Sequence, residues 1–593
     1  MNPSPAEEYK QRLQAREHRV AQFEKQHIRI GNLRLLIVLA TLIVAWFSLE
    51  RDAFSPWWLL VCLALFLALL IYHAKVLRNK VCTERAVDFY RRGLARIEDR
   101  WAGTGQQGER IDASASLYAT DLDLFGRGSL FELLSQARTR MGEDTLAGWL
   151  LAPASVETIH QRHAAITDLR PRLDLREDVA VLGDDVKASV HAEALLQWAT
   201  SPNKLKQPSV RWIALLLCLA AVAAAIFWGS TGLKGPFFAV VIVEGILFLA
   251  HRTRVNEVLH GTARALEDLQ LLSSLLARLE REQFDSPRLK TIQGALSSHR
   301  VEGSKAIAKL ATIVEYIYSL DNPIVRALDI PLLYSVQLAY AAEAWRSAHG
   351  NAVHLWLDAV GEMEALLSLT AYSYEHPADP FPELLEGMPC FEAEQLGHPL
   401  IPAANCVRNG VSICGETRVL LVSGSNMSGK STLLRAVGLN TVLAMAGAPV
   451  RAQRLRLTPL RVGASILIND SLQEGSSRFY AEITRLRHIC DLTEEGLPVL
   501  FLLDELLQGT NSKDRLVGAE GVVQALLDRG AIGLISTHDL ALTDLGGAGD
   551  RLRNVHLQDE IENGRMKFDF TLRDGVVIKS NGVELMRLIG LKV

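Results

Sequence analysis

The chain has almost no charge of one sign to spare. Its 63 Lys and Arg stand against 67 Asp and Glu, a formal net charge of −4 over 593 residues. A protein that gathers polyanions by bulk charge carries a clear basic excess, so that class is excluded. Cysteine is also scarce. The seven present show no paired metal-like spacing, which argues against a zinc module and fits a reducing cytoplasm. No internal repeat marks a stacked array. What the chain does have is apolar residues. They make up 49% of it, and the mean hydropathy of +0.13 is high for a soluble chain of this length.

Four apolar runs account for the excess: Leu35 to Leu49, Phe54 to Tyr72, Trp212 to Leu233, and Pro236 to Ala250 with Glu244 inside it. A helix needs about 20 apolar residues to cross a bilayer. The second and third runs meet that length, and the first and fourth rely on snorkelling ends such as Arg34. Buried core helices are the alternative. Aromatic ends (Trp57, Trp58, Tyr72), basic flanks and pairing into two hairpins favour insertion. The first run is not read as a cleaved leader, because a long charged segment precedes it and a second span follows at once. Glu244 is an intramembrane carboxyl with no second charge in any span, so a structural role in the hairpin is favoured over a functional one. Lys25, Arg29 and Arg34, then Lys75, Arg78 and Lys80, flank the first pair. Lys204, Lys206 and Arg211, then Arg252 and Arg254, flank the second. The tight turns carry only Arg51 and Lys234. The bias predicts hairpin tips outside and chain ends in the cytoplasm, as for an integral protein of a bacterial inner membrane.

The most specific signal lies further on. Gly424-Ser425-Asn426-Met427-Ser428-Gly429-Lys430-Ser431-Thr432 has two glycines five apart, then Lys and a hydroxyl residue. Glycines let backbone N–H groups curl around phosphate oxygens. Lys430 would reach the β- and γ-phosphates of ATP, and Ser431 would help hold Mg²⁺. Residues 418–423 read as a buried strand, and the residues after the loop as a helix whose N-terminus faces the anion. A second apolar run ends in Asp504-Glu505, which would deliver Asp504 to the metal and Glu505 to the attacking water. A third, Ala531 to Thr537, ends in His538-Asp539, where His538 would hydrogen-bond the γ-phosphate. An ordinary strand-end histidine is the alternative for His538 alone. Three strand ends presenting complementary groups favour catalysis.

With these residues in view, the chain resembles the DNA mismatch repair MutS family. The loop from Gly424 to Thr432 is similar to that family's loop. Leu503-Asp504-Glu505-Leu506-Leu507-Gln508-Gly509-Thr510-Asn511-Ser512 resembles its Walker B segment, and Ser536-Thr537-His538-Asp539 its Thr-His element. Gly475-Ser476-Ser477-Arg478-Phe479-Tyr480-Ala481-Glu482 resembles its signature loop, with Arg478 where Thr is usual. Gly397-His398-Pro399, Asn409 and Ser580-Asn581-Gly582 extend the match. Upstream, Asp123 to Gly142, Trp149 to Pro153 and Ile159 to Leu169 resemble the family's core domain. Nothing before Asp123 resembles the mismatch-reading domain. Phe381-Pro382-Glu383 sits in a connector, the clamp domain is not recognisable, and neither a dimerisation tail nor a nuclease domain is expected. The resemblance implies an ATPase dimer in which Ser477 completes the neighbouring subunit's site, with DNA a partner by resemblance only.

The predicted fold is therefore an α-helical core or lever region with four transmembrane helices, plus a C-terminal α/β P-loop ATPase domain of ABC type. The expected segments are a cytoplasmic start (1–32), a first hairpin (33–77), a basic juxtamembrane helix and linker (78–115), a helical core segment (116–211), a second hairpin (212–251), lever and core helices (252–388) and the ATPase (389–593). Two functions are open: a membrane-anchored ATPase that engages DNA, or an ATP-driven membrane switch without nucleic acid. The arginines at 85, 91, 92, 96 and 100 could touch lipid or DNA, or form a solvated face. Those at 451, 454, 456 and 461 could be surface or sheet-edge residues. Gly103 to Gly108 reads as a linker.

Overall fold

A computed structural model describes residues 3–50, 55, 57–182, 192–205, 208–264, 269–297, 302–425, 427–467, 478–544, 551–562 and 565–577. The chain divides into two units: Met1–Gln136, Asp144–Leu173 and Leu366–Val593 form one, and Ala137–Glu143 with Asp174–Ala365 the other. Most described residues are helical, and all the sheet lies in the first unit.

In that unit the chain opens on one helix, Pro5–Leu49. Ser4 and Glu7 cap it reciprocally: the Ser4 hydroxyl accepts from Glu7 N at 3.3 Å, and Glu7 accepts from Ser4 N at 2.8 Å. No Pro separates the charged half from the apolar half, so both are one element about 68 Å long at 1.5 Å per residue. The second helix, Trp57–Ile97, packs against it. Arg91 Nη2 meets Glu17 at 2.8 Å, Lys80 pairs with Glu24, and the His27 and His73 rings bond at 2.8 Å. Over the apolar halves the side chains face outward, Ile71 and Leu42 among them. The expected basic juxtamembrane helix is thus the end of the second long helix, Trp57–Ile97. Arg91, Arg96 and Arg100 each have a carboxylate partner within this unit, so they are not a free basic face.

The foot of this pair is fixed in the same unit by the end of helix Val353–Glu375. Arg96 forks onto Glu375 with bonds of 2.7 and 2.6 Å, and Tyr9 Oη donates to Glu375 at 3.2 Å. Tyr9 is fully buried between Tyr90 and Tyr374. Gly93 is required here, since a Cβ would run into the Tyr9 ring. The expected linker at Gly103–Gly108 is also packed. Gly105 N donates to Glu132 at 2.9 Å, and Gly108, at φ +68°, lies against Phe125 and Phe131.

Among the described residues ten strands follow: β1 (Glu383–Leu384), β2 (Phe391–Leu396), β3 (Asn409–Ile413), β4 (Val419–Ser423), β5 (Arg454–Leu457), β6 (Arg461–Ser465), β7 (Val499–Asp504), β8 (Ile532–Thr537), β9 (Leu552–Glu562) and β10 (Arg565–Asp574). The main sheet has the order β10-β9-β4-β8-β7-β6, parallel except for β10. Buried on both faces, β4, β7 and β8 read as unbroken apolar runs. A smaller sheet, β1-β5-β2-β3, stands beside it. Pairing of Phe391 with Ile413 sets Cys390 opposite Cys414, and the two are disulfide-bonded. The seven cysteines, read as scattered and fitting a reducing cytoplasm, thus include one bonded pair: residues 24 apart in sequence become neighbours through strand pairing, which spacing does not reveal.

The second unit is helical. Helices Pro208–Thr231 and Gly235–Arg264 form the second apolar hairpin, with Ala214 and Ala221 buried. Small residues of this kind let helix backbones close together. All four predicted runs lie on helices long and apolar enough to cross a membrane.

Candidate functional site

β4 ends at Ser423, and the loop after it turns into helix Lys430–Ala446. Gly424 (φ +155°) and Gly429 (φ +97°) shape the loop. A Cβ on Gly424 would lie 2.8 Å from the Leu557 carbonyl, and one on Gly429 would lie 2.9 Å from the Phe570 ring. Lys430 folds back and donates to the carbonyls of Gly424 (2.9 Å) and Ser425 (2.8 Å). Burial pulls its ammonium pKa down, against the opposing pull of Glu505, Asp504 and Asp559. The hydroxyls of Ser425 and Ser428 are buried without a hydrogen-bond partner among the described residues. Unsatisfied donors in a glycine cradle at a helix N-terminus suit an anion with several acceptor oxygens.

The other strand ends converge on the same point. β7 carries Asp504, whose Oδ2 accepts from Ser431 Oγ at 2.5 Å and whose Oδ1 is held by Ser536 at the end of β8. A hydroxyl and a carboxylate side by side at the cradle are hard oxygen ligands, the donor set Mg²⁺ prefers. Glu505 sits at φ +53°, with its N–H bonded to Ser536 O at 3.1 Å. Its carboxylate meets His538 Nδ1 at 3.3 Å and is bonded by Gln508. Glu482 is buried and accepts from Leu507 N at 2.6 Å, which pins the turn bearing Glu505. Met427 projects into solvent, and Thr432 lies on the first helical turn.

The structure thus brings together Gly424, Ser425, Ser428, Gly429, Lys430, Ser431, Thr432, Asp504, Glu505 and His538. Asn426, Gly475, Ser476, Ser477 and the Ser580-Asn581-Gly582 element lie outside the described residues. Three residues at the site carry no role in the sequence reading: Ser536 and Gln508, which stand there only within the family-like segments, and Phe570. Gln508 stands three positions after Glu505, so the periodicity of a turn was the available signal. Phe570 had none, because it reaches the loop only through a bulge in β10. Asn409 clasps that bulge: its Nδ2 donates to Phe570 O at 3.0 Å and its Oδ1 accepts from Leu572 N at 2.8 Å.

Beside the cradle, a largely apolar pocket is lined by His398, Cys406, Asn409, Leu433, Leu557 and Phe570. Burial, then Arg435, lowers the His398 pKa to about 4, and the ring accepts from Leu400 N at 3.2 Å. Arginines 451, 454, 456 and 461 pair with Asp379, with Glu383, with Glu383 and Glu392, and with Glu495. They are ion-paired framework rather than a free basic patch. Phe381 stacks on His163 at 4.3 Å, so it too is packed in the fold.

An α/β sheet whose strand ends converge on a glycine loop and a helix N-terminus defines an anion-binding class of fold. Residues 420–592 match the family model MutS domain V. The chain is 34% identical over 202 residues to the "Endonuclease MutS2" of Thermus thermophilus, covering 34% of this chain and 26% of that protein. It is 26% identical over 513 residues to the "DNA mismatch repair protein MutS" of Myxococcus xanthus, covering 78% of this chain and 56% of that one. A Methanosarcina mazei protein of the same name is 25% identical over 512 residues with the same coverage. The chain therefore spans between about a quarter and just over half the length of these relatives. The chain is thus similar to MutS-family proteins, in MutS domain V over residues 420–592 and at lower identity over most of its length.

Proposed function

We propose that this chain is a membrane-anchored ATPase that binds and hydrolyses Mg²⁺–ATP in a dimer with composite sites. The observation that carries this is the convergence of Lys430, Ser431, Asp504, Glu505 and His538 on one cradle. The loop amides and Lys430 hold the β- and γ-phosphates, and Lys430 leaves its loop carbonyls to do so. Ser431 and Asp504 hold Mg²⁺, which supplies charge neutralisation at the transferred phosphoryl group. Glu505, steadied by Gln508 and His538, orients the attacking water, and His538 bonds the γ-phosphate. The apolar pocket beside the loop receives the base. Ser477 of a second copy completes the site. The two apolar hairpins, with their tips outside, hold the ATPase at the cytoplasmic face of the membrane.

DNA binding and a link to repair rest on what the relatives are named for. The alternative, an ATP-driven membrane switch without nucleic acid, is favoured by the pairing of Arg451, Arg454, Arg456 and Arg461 with carboxylates. Salt-dependent DNA binding by the detergent-solubilised protein separates the two, because phosphate contacts give a steep salt slope. For the site itself, Lys430→Ala lowers ATP affinity about 10- to 100-fold, the loss of one hydrogen bond to a charged group. Glu505→Gln keeps affinity and stops turnover. Wild-type turnover in Glu505→Gln would remove Glu505 from its role.

A further inference from the structure

The second unit exposes an apolar segment that neither the hairpins nor the ATP site uses. Between helices Gly303–Ser319 and Tyr334–His349 the chain makes two short helical turns, Pro323–Ala327 and Asp329–Leu332. Ile324 is 72% exposed, Leu328 48% and Ile330 41%, and Tyr316 and Tyr318 stand exposed just before them. The segment is nonetheless built. Asn322 caps the first turn through a 2.9 Å bond from Ile324 N. Asp329 is turned inward and accepts from Ser335 N at 2.7 Å, so its charge is kept off the exposed face. Leu333 is fully buried at φ +46°, a conformation an unpacked leucine would avoid.

Its height along the second hairpin follows from three contacts. Asn203 Nδ2 donates to Ser347 Oγ at 2.7 Å, Lys204 N to Glu343 at 3.3 Å, and Gln337 Nε2 to the Arg211 carbonyl at 3.4 Å. Helix Tyr334–His349, followed backwards, therefore climbs beside the chain entering helix Pro208–Thr231. From Ser347 to Gln337 it rises about 15 Å, at 1.5 Å per residue. Residues before Tyr334 lie past Arg211, level with the start of the apolar run at Trp212. The turn Asp329–Leu332 packs there against both helices of the hairpin. Trp212 and Leu216 on that hairpin are themselves outward and exposed.

We propose that residues 316–332 are a third membrane contact, a cap that sinks into the cytoplasmic leaflet beside the second hairpin. The occupant is the lipid of that leaflet. Ile324, Leu328 and Ile330 enter the acyl boundary, Tyr316 and Tyr318 lie at headgroup level with Trp212, and Arg326 stays among the lipid phosphates. The exposed apolar face continues that of the spanning helices, which is the reason to assign it to lipid. This rests on the reading that the second hairpin spans the membrane.

The test uses the full chain in vesicles of mixed zwitterionic and anionic lipid. A fluorescent residue sensitive to polarity is incorporated at Ile324, at Leu219 within the span, or at Lys290 on the solvent side. Lipids carry spin labels at the headgroup or deep in the acyl chain. The expected result is blue-shifted emission at Ile324, quenched several-fold more by the shallow label than the Lys290 probe is, with Leu219 quenched by the deep label. Water-like emission at Ile324 with Leu219 deep overturns the cap and leaves the hairpin standing. Water-like emission at both overturns the spanning reading and the cap with it. Blue-shifted but unquenched emission at Ile324 assigns the face to protein, such as a second copy, and also overturns the cap.

Discussion

The two apolar hairpins are joined to their units by opposite means. The first continues into long polar helices whose foot is clamped by charge: Arg96, its side chain 11% exposed, with the buried Tyr9 and the buried carboxylate of Glu375. The second runs directly into a helical unit, and its buried carboxyl, Glu244, has no hydrogen-bond partner among the described residues. Between these extremes stands Glu364, also buried, whose oxygens accept from two backbone amides and a hydroxyl: Arg138 N at 3.1 Å, Thr139 N at 3.1 Å and Thr139 Oγ1 at 2.5 Å. Charge held by charge fixes a geometry and is costly to break. A buried carboxyl with no partner among the described residues can be exchanged at little cost.

The sharpest break is at the charged foot. Glu375→Ala leaves the Arg96 guanidinium buried without its partner, and a broken buried pair costs about 3–5 kcal/mol. The first unit should lose that much in chemical unfolding, and the helix Pro5–Leu49 should become open to protease at its polar end. Unchanged protease resistance would show that the clamp does not hold the foot.

A smaller effect tests packing rather than charge. Gly93→Ala places a methyl against the Tyr9 ring, and overpacking of this kind costs about 1–3 kcal/mol. Tyr9→Ala combined with Gly93→Ala should recover part of the Gly93→Ala loss beyond what the two changes would sum to, because the methyl then has room. Strict additivity in the double-mutant cycle would mean that Gly93 is small for another reason.

Glu364 is distinguished by its pH dependence. Burial raises its pKa from 4.5 to about 7, and the bonds from Thr139 and from the Arg138 and Thr139 amides hold it down only in part. A raised carboxyl pKa means that the folded protein binds the extra proton. The stability this adds is complete below pH 4.5 and is lost as pH rises through about 7. Wild type should therefore lose stability relative to Glu364→Gln across that window. A difference that is flat with pH would mean that Glu364 titrates alike folded and unfolded.

Some of this could be read in the sequence. The phosphate loop, the Asp504-Glu505 pair and the four apolar helices follow from spacing and composition, because each is local: a glycine turn, a strand end, a run of leucines. The continuity of residues 5–34 with the first span was only half legible, since helical spacing was visible but its partner helix was not. The clamp at Glu375 was not legible at all. It joins residues 9, 96 and 375, and only tertiary packing brings them together. The same holds for the Cys390–Cys414 bond and for Phe570, which reaches the loop through a bulge in β10. The arginines at 91, 96 and 454 stayed open between readings for a related reason: a charge in a sequence shows its sign but not the partner that neutralises it.

The smallest expected effect is at the second hairpin. Glu244 is fully buried within the second hairpin, on helix Gly235–Arg264, whose partner helix carries Ala214 and Ala221, and neither of its oxygens has a hydrogen-bond partner among the described residues. A buried polar group without a partner works against the fold, so replacing it with an apolar side chain of similar size should cost nothing. Glu244→Leu is expected to match wild type or gain about 1 kcal/mol, with ATP turnover unchanged. Glu375→Leu, the same exchange at the charged foot, should lose several kcal/mol because it strands Arg96. Thermal unfolding of the two variants in one detergent reads the contrast directly. Equal losses would erase the distinction between the hairpins. A loss of turnover in Glu244→Leu at full stability would make Glu244 a functional carboxyl rather than a tolerated one.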